Sequence, residues 1–307
     1  MIKNALLVFM LMLLFLPVMQ AQNGTSSPFS IFGIGEIEVR DFGRTTAMGG
    51  VGIGYQSENF LNRRNPAGLS GIDTLRFILD VSAAIKFSQF RTKDFKAQTT
   101  NFNFKTLAIG VRLSKRWTSS VGLCPFSNAG YHIIAQESLP GSNYGEEKNF
   151  TSSGGVNKFY WSNAFEPFRG FSIGVNSSFI FGNITKNEED SDGFLIRDTY
   201  NISKLNFDFG VQYSHWFGKF TNVTAGGVYG HESKMLIQQT HMVTGGNYAR
   251  ERKPDQKSYI PETYGAGFSI LRNKKAAEWI FAADCQFWKW SVDPLQHKGL
   301  RYTDSRI

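Results

Sequence analysis

The sequence is poor in cysteine and, beyond its first residues, in long apolar runs. Its 307 residues include only 2 Cys, Cys124 and Cys285, far apart in the chain. They are either two isolated thiols or one pair in an oxidising compartment, because sequence alone does not give their geometry. No apolar run after the N terminus approaches the roughly 20 residues of a spanning helix, so any membrane crossing must use strands.

The distribution of charge and of potential catalytic residues argues against nucleic-acid-binding proteins, metal-binding proteins and enzymes. The net charge of +8 is modest, and its Lys and Arg are scattered rather than gathered in the dense basic stripe that nucleic-acid binding favours. The 5 His never group with Cys or carboxylates at a ligand spacing, so no metal or cofactor is expected. No motif joins His215 and His231 to Asp208 and Asp284, and the chain is therefore predicted not to be an enzyme.

The N terminus has the pattern of an export signal. A short basic region, Met1–Asn4, precedes an apolar run over Ala5–Val18, and the small residue Ala21 follows. This order is typical of a cleaved signal peptide, and the run of about 14 residues is too short for a spanning helix. The sequence therefore predicts export with cleavage after residue 21.

The body of the chain alternates with period two, and it is rich in residues of strands and turns, with 28 Phe and 31 Gly. Apolar side chains alternate with polar ones from Leu75 to Phe87, from Phe171 to Phe181 and from Leu205 to Tyr213. A strand separates two such sets onto opposite faces. Strands of ten residues suit a membrane-spanning antiparallel β-barrel better than the alternative, a secreted sandwich with shorter strands.

In such a barrel the polar set faces the lumen. The lumen-facing residues predicted from the alternation are Arg76, Asp80, Lys86, Asn206, Asp208, Gln212, Asp284 and Gln286.

The segment between the signal and the first strand differs from the rest. Residues 22–72 are rich in Gly, Ser and Asn and show no sustained alternation. A loop of this length is usually functional or disordered, and small residues allow tight packing against polar barrel walls. The expected organisation is a signal peptide over 1–21, a plug over 22–72 and a β-barrel over 73–307.

Two motifs carry a family resemblance. Gly43-Arg44…Ala47…Gly49-Gly50 is followed by Asn65-Pro66-Ala67-Gly68-Leu69, and Gly122-Leu123-Cys124-Pro125-Phe126 comes later. This pattern resembles the FadL-type outer-membrane transporters, which import long-chain fatty acids and other hydrophobic molecules. The resemblance implies a 14-stranded barrel, closed by an N-terminal plug, with a lateral exit for the ligand.

The resemblance also assigns roles to residues. Asn65, Pro66 and Ala67 match the motif that ends the plug and are expected to anchor it. A wall opening is expected at Pro125, where a ladder hydrogen bond is missing, and along Ser127, Asn128, Ala129 and Gly130.

The strand count departs from that family. About nine strands follow Leu75, with a tenth starting near Gly299–Tyr302, and the chain stops without a terminal aromatic residue. Because unpaired strand edges are costly in a bilayer, we expect a C-terminally truncated barrel. A small complete barrel of eight or ten strands is the alternative.

Two functions follow. The first is passive uptake of fatty-acid-like molecules across the Gram-negative outer membrane, with membrane lipid and a hydrophobic ligand as partners. The alternative is a non-transporting accessory barrel of a larger outer-membrane secretion or assembly complex, with other outer-membrane proteins as partners. An apolar pocket in the lumen would favour transport, and a filled or polar lumen with a broad exposed apolar loop face would favour the accessory role.

Overall fold

A computed structural model describes residues 27–38, 44–74, 76–91, 93, 96–138, 145–245, 249–254, 256–274, 277–290 and 303–306. The predicted signal peptide and the predicted strand start at Gly299–Tyr302 lie outside these ranges. None of the described helices has the length and apolar character needed to cross a membrane.

The described strands form one antiparallel sheet, which is strongly curled into half a barrel. The strands are β1 (Glu36–Ile37), β2 (Phe77–Arg91), β3 (Lys96–Arg112), β4 (Trp117–Asn128), β5 (Tyr131–Ser138), β6 (Gly145–Phe168), β7 (Phe171–Asp190), β8 (Leu195–Phe217), β9 (Thr221–Gly230), β10 (Ser233–Thr244), β11 (Ala249–Arg252), β12 (Gln256–Ile260), β13 (Glu262–Lys274), β14 (Ala277–Lys289) and β15 (Thr303–Arg306).

Ten of these strands make a continuous path in the order β15-β14-β13-β9-β8-β7-β6-β4-β3-β2. The short strand β1 pairs with β4, β5 pairs with β6, and β10 pairs with β8, β11 and β12. The helical elements are short: α1 (Arg44–Ala47) and two 3-10 helices, Pro28–Ile31 and Pro66–Gly71. The alternation in the sequence predicts β2, β7 and β8, but not β5, β6, β10, β11 and β12.

In the half of the sheet that carries the β3–β4, β6–β7 and β8–β9 connections, here called the lower half, the outward side chains are apolar. The inward side chains there are mainly polar on β8 and partly apolar on β3, β4 and β6. On β8 the outward side chains from Leu205 to Tyr213 are apolar and exposed, whereas Asn206 and Gln212 between them are buried. The period of two requires this separation, because successive side chains of a strand point to opposite faces. The outward apolar stretch has the length that a tilted strand needs to cross a bilayer.

The upper half of the sheet has the opposite polarity. The outward side chains of β8 become polar above Leu205, at Ser203, Asn201, Thr199 and Arg197. The inward side chains become apolar there and form one cluster, which includes Ile180, Ile184, Ile202, Met235 and Ile237. A sheet in water buries its apolar side inward, so the level between Ser203 and Leu205 marks the upper edge of the outward apolar band.

The two ends of the sheet also differ. At the lower end, β3–β4, β6–β7 and β8–β9 are joined close to the apolar band by connections of two to four residues, here called the short turns, whereas at the other end β8 continues from Leu205 up to Leu195 before it turns. Outer-membrane barrels have short turns on the periplasmic side. Large exposed aromatic side chains gather at this end, namely Trp117, Phe168, Trp216, Phe220 and Trp279.

The two thiols lie on opposite faces of the sheet. Cys124 is buried on the concave side of β4, and Cys285 on β14 pairs with Ala266 in the outward register. Both cysteines are free. Of the two alternatives that the sequence leaves open, the structure has the isolated thiols.

Candidate functional site: the N-terminal segment on the concave face

The concave face is occupied by residues 44–74, here called the N-terminal segment. Its side chains Leu61, Leu69 and Ile72 pack in an apolar cluster with residues of β3, β4 and β6. Its contacts with β7, β8, β9, β13 and β14 centre on one row of directly opposed residues across those strands. The row, here called the docking row, consists of Ser172, Gln212, Gly226, Gly267 and Asp284.

Side chains of the docking row bind the backbone of the segment. One carboxylate oxygen of Asp284 accepts hydrogen bonds from the amides of Gly52 at 2.6 Å and Ile53 at 2.7 Å. The Gln212 amide donates to the Ile53 carbonyl at 2.7 Å, and the Ser172 hydroxyl donates to the Ala67 carbonyl at 3.1 Å. Two amides on one carboxylate make charge-assisted bonds, which are stronger than neutral ones.

Asn65 connects the segment to itself and to the sheet. Its side-chain amide donates to the carbonyls of Ile53 at 2.8 Å and Val211 at 3.0 Å. Its oxygen accepts from the Ala67 amide at 3.0 Å, which caps the 3-10 helix that starts at Pro66. Proline suits this first helical position, since it lacks the amide that would otherwise need a partner. Asn65 and Ala67 are fully buried.

Glycines let the segment approach the sheet at backbone distance. A Cβ at Gly226 would collide with the Ile53 carbonyl oxygen, and one at Gly174 would collide with the backbone of Pro66 and Ala67. Gly267 approaches the backbone of the segment in the same way. These glycines were missed in the sequence, although each falls on the inward register of a predicted strand, where polar side chains were expected.

The structure places most predicted lumen residues on the concave side. Asp208 accepts hydrogen bonds from the side chains of Asn176 at 3.2 Å and Asn206 at 3.3 Å, and Asp80 lies in the inward register of β2. Lys86 pairs with Glu36 at 2.9 Å. Gln286 on β14 accepts a hydrogen bond from Arg64 at 2.7 Å.

Arg76 is placed differently. It precedes β2, is exposed, and donates to the Asn59 side chain at 2.6 Å, so it lies at the lower rim rather than inside the curl. Strand β2 starts after it, at Phe77.

The residues predicted at a wall opening are covered by residues 27–38, the first part of the chain that the structure describes. β4 pairs with β3 only as far as Leu123, and its register against β6 shifts between Pro125 and Ser127. Strand β1 then pairs with Ser127 and Asn128. The Gly130 amide donates to the Ser30 hydroxyl at 3.1 Å, and the Ala129 amide donates to the Gly154 carbonyl at 3.0 Å.

Acidic side chains join β1 to the neighbouring strands. Glu38, just after β1, accepts a hydrogen bond from the Asn128 side chain at 2.7 Å and forms an ion pair with Lys105 on β3. Together with the Glu36–Lys86 pair, these contacts place the edge of β4 under the chain's N-terminal residues.

The histidines named in the sequence analysis are not gathered at this site. His215, weighed above as a candidate base, is on the outer face, stacked at 6.3 Å on Tyr213 and 4.9 Å from Phe217. Among the described residues, no three His, Cys, Asp or Glu side chains are grouped so that they could hold a metal ion.

Fold and site together define a class: an all-β, strongly curled antiparallel sheet of the barrel type, with a segment of its own chain bound to the concave face. A family model described as BamG matches residues 1–306, so the chain belongs to the BamG family. No curated protein and no solved structure matches the chain.

The resemblance to FadL-type transporters is therefore wrong, since the matching family is a different one. The motif that suggested it has a structural explanation. Asn65, Pro66 and Ala67 form a capped turn that fits against Gly174 and Gly210 on the sheet. Packing of this kind does not depend on what a barrel transports, so the motif carries no evidence for fatty-acid uptake or a lateral exit.

Proposed function

We propose that this protein is an accessory, non-transporting subunit of the BAM complex in the Gram-negative outer membrane. The observation that carries the proposal is the match of the BamG family over residues 1–306, because that family name associates its members with BAM. The partners are then other outer-membrane proteins of that complex.

The outward face supports a place in the bilayer. Its apolar side chains are exposed over a band of membrane-spanning length on β8, and exposed aromatics lie below that band. Contiguous apolar surface on this scale is unfavourable in water and favourable in lipid. We also propose that the protein reaches this membrane through cleavage of the signal peptide over residues 1–21.

The concave face supports the accessory role over transport. Passive uptake of a hydrophobic molecule needs apolar surface to bury it, at about 25 cal/mol per Å2. At the level of the apolar band, the concave face is instead covered by the N-terminal segment, which is hydrogen-bonded to Asp284 and Gln212 and packs Leu61, Leu69 and Ile72 against β3, β4 and β6. The hydrogen bonds to this segment would have to break before anything could pass, so we assign no transport step to the protein.

Affinity capture tests this function. The chain, tagged at its C terminus, is extracted from outer membranes in mild detergent, and a tagged, unrelated outer-membrane barrel of similar abundance is the control. We expect BAM proteins to co-purify with this chain and not with the control. Recovery of the folded chain without any BAM protein, also after cross-linking in intact cells, would contradict the proposal.

A further inference from the structure

Basic residues that are scattered along the sequence are gathered by the fold at one end of the sheet. Each short turn, and the end of β13 beside them, carries at least one exposed Lys or Arg. These residues, here called the turn cations, are Lys115, Arg116, Arg169, Lys219 and Arg272.

Each position also has an exposed aromatic side chain next to it. Aromatic rings prefer the boundary between lipid and water, and long basic side chains extend from that boundary to reach anionic groups. The neighbouring pairs are Arg116–Trp117, Phe168–Arg169, Lys219–Phe220 and, directly opposed across β13 and β14, Arg272–Trp279.

The positive charge of the turn cations is not compensated within the described part of the chain, where none of the five takes part in an ion pair. Of the carboxylates at this end, Glu166 lies 3.1 Å from Arg112, Asp73 lies 4.0 Å from Arg76, and Glu278 at the start of β14 has a partner as well. The opposite end of the sheet has mixed charge, since Glu189, Asp190 and Asp192 lie there.

The spacing of the turn cations indicates several separate anions rather than one ligand. Successive hairpins of the sheet are two strands apart, or roughly 10 Å. This separation is about one Debye length at moderate ionic strength, so each position acts almost independently. A single acidic partner protein would be met by one cluster, whereas a lipid leaflet offers a phosphate next to every hairpin.

We propose that the turn cations bind the phosphate groups of anionic phospholipids in the membrane leaflet at the short-turn end. The inference rests on the proposed position in the outer membrane and adds a lipid class to it. Short turns are periplasmic in bacterial barrels, so these lipids belong to the inner leaflet. The neighbouring aromatic side chains lie at the boundary between lipid and water, which places the turn cations at the depth of the lipid phosphates.

Electron paramagnetic resonance with spin-labelled lipids tests the proposal. The full-length protein is reconstituted in phosphatidylcholine bilayers, and the motionally restricted fraction is measured for labelled phosphatidylglycerol and labelled phosphatidylcholine. The variant K115Q/R116Q/R169Q/K219Q/R272Q removes the turn cations. A matched control, R91Q/K93Q/K96Q/R197Q/R252Q, removes five exposed cations at the opposite end.

We expect the wild-type protein and the control variant to prefer phosphatidylglycerol roughly fivefold, the effect of about one basic contact per headgroup. The variant without turn cations should show no preference. Equal association of the two lipids with the wild-type protein, or a preference that survives loss of the turn cations, would overturn the proposal.

Two further outcomes separate this inference from the proposed function. The absence of any restricted lipid would mean that the protein is not in the bilayer, which overturns the membrane position and this proposal together. Restricted lipid without selectivity overturns the lipid proposal alone. If loss of the turn cations instead removes BAM proteins from the affinity capture and leaves lipid selectivity unchanged, the rim binds protein and the lipid proposal is wrong.

Discussion

Gly226→Ala is expected to detach the N-terminal segment from the sheet. The new methyl group would collide with the Ile53 carbonyl oxygen, which also accepts hydrogen bonds from Gln212 and Asn65. Neither the backbone of the segment nor that of β9 gives way easily, and overpacking of this kind costs about 1 to 3 kcal/mol. Loss of the two hydrogen bonds adds about 1 kcal/mol each.

The rate of tryptic cleavage measures this detachment, because trypsin cleaves after Arg63 and Arg64 within the docked segment. Cleavage follows the population of the open state when opening is fast. We therefore expect cleavage at these residues to accelerate roughly a hundredfold in Gly226→Ala, the factor that corresponds to about 3 kcal/mol.

The neighbouring glycine provides a matched control. Gly227 lies on the same strand but faces outward, where a Cβ would come no closer than 3.5 Å to Val211. Gly227→Ala should therefore leave the cleavage rate unchanged. Equal cleavage rates in Gly226→Ala and the wild-type protein would show that the segment does not lie against β9.

Asn65→Asp is expected to have an effect of similar size. The substitution keeps the shape of the side chain but places a carboxylate oxygen where the amide now donates to the carbonyls of Ile53 and Val211. A buried charge without a donor costs about 3 to 5 kcal/mol. We expect the free energy of unfolding in detergent to fall by that amount, with faster tryptic cleavage of the segment.

Asn59→Asp is the control for this change, since Asn59 is in the same segment but exposed. Its oxygen already accepts a hydrogen bond from Arg76, and a carboxylate can accept the same bond. The stability of this variant should match that of the wild-type protein. A similar loss in both variants would mean that added negative charge, rather than the buried position of Asn65, causes the effect.

Strands β2, β7 and β8 could be predicted because alternation depends on the residues of one strand alone. Leu205 to Tyr213 shows an unbroken apolar set on one register, and the sheet places that set outward. The polarity inversion above Ser203 was not predicted. Ile180 and Ile202 are inward-facing apolar residues, and only the pairing of β7 with β8 shows that they lie together beneath a polar outer face.

Part of the site was visible in the sequence. Asn65, Pro66 and Ala67 were singled out by their motif, and Asp284 and Gln212 by the polar register of their strands. The docking row could not be found in this way, because it joins residues from five strands, and register is set by pairing between strands. Arg116 and Arg272 are far apart in the chain. Only the sheet topology shows that the turn cations lie together at one end.

The proposed function and the lipid inference both require the outward face of the sheet to lie in a bilayer. Cys285 lies in the apolar outward register, beside Phe281 and Phe287. Asn201 lies outward on β8 above the band. A spin label at Cys285 in a Cys124→Ser background therefore reports the band, and one at Asn201→Cys in a chain without other cysteines reports the region above it.

The most direct measurement is the collision of each label with oxygen, which dissolves in lipid, and with a water-soluble nickel chelate, in outer-membrane vesicles. We predict that oxygen dominates at Cys285 and that the nickel chelate dominates at Asn201→Cys. Dominance of the nickel chelate at both positions in the folded protein would place the apolar band in water and contradict a membrane barrel.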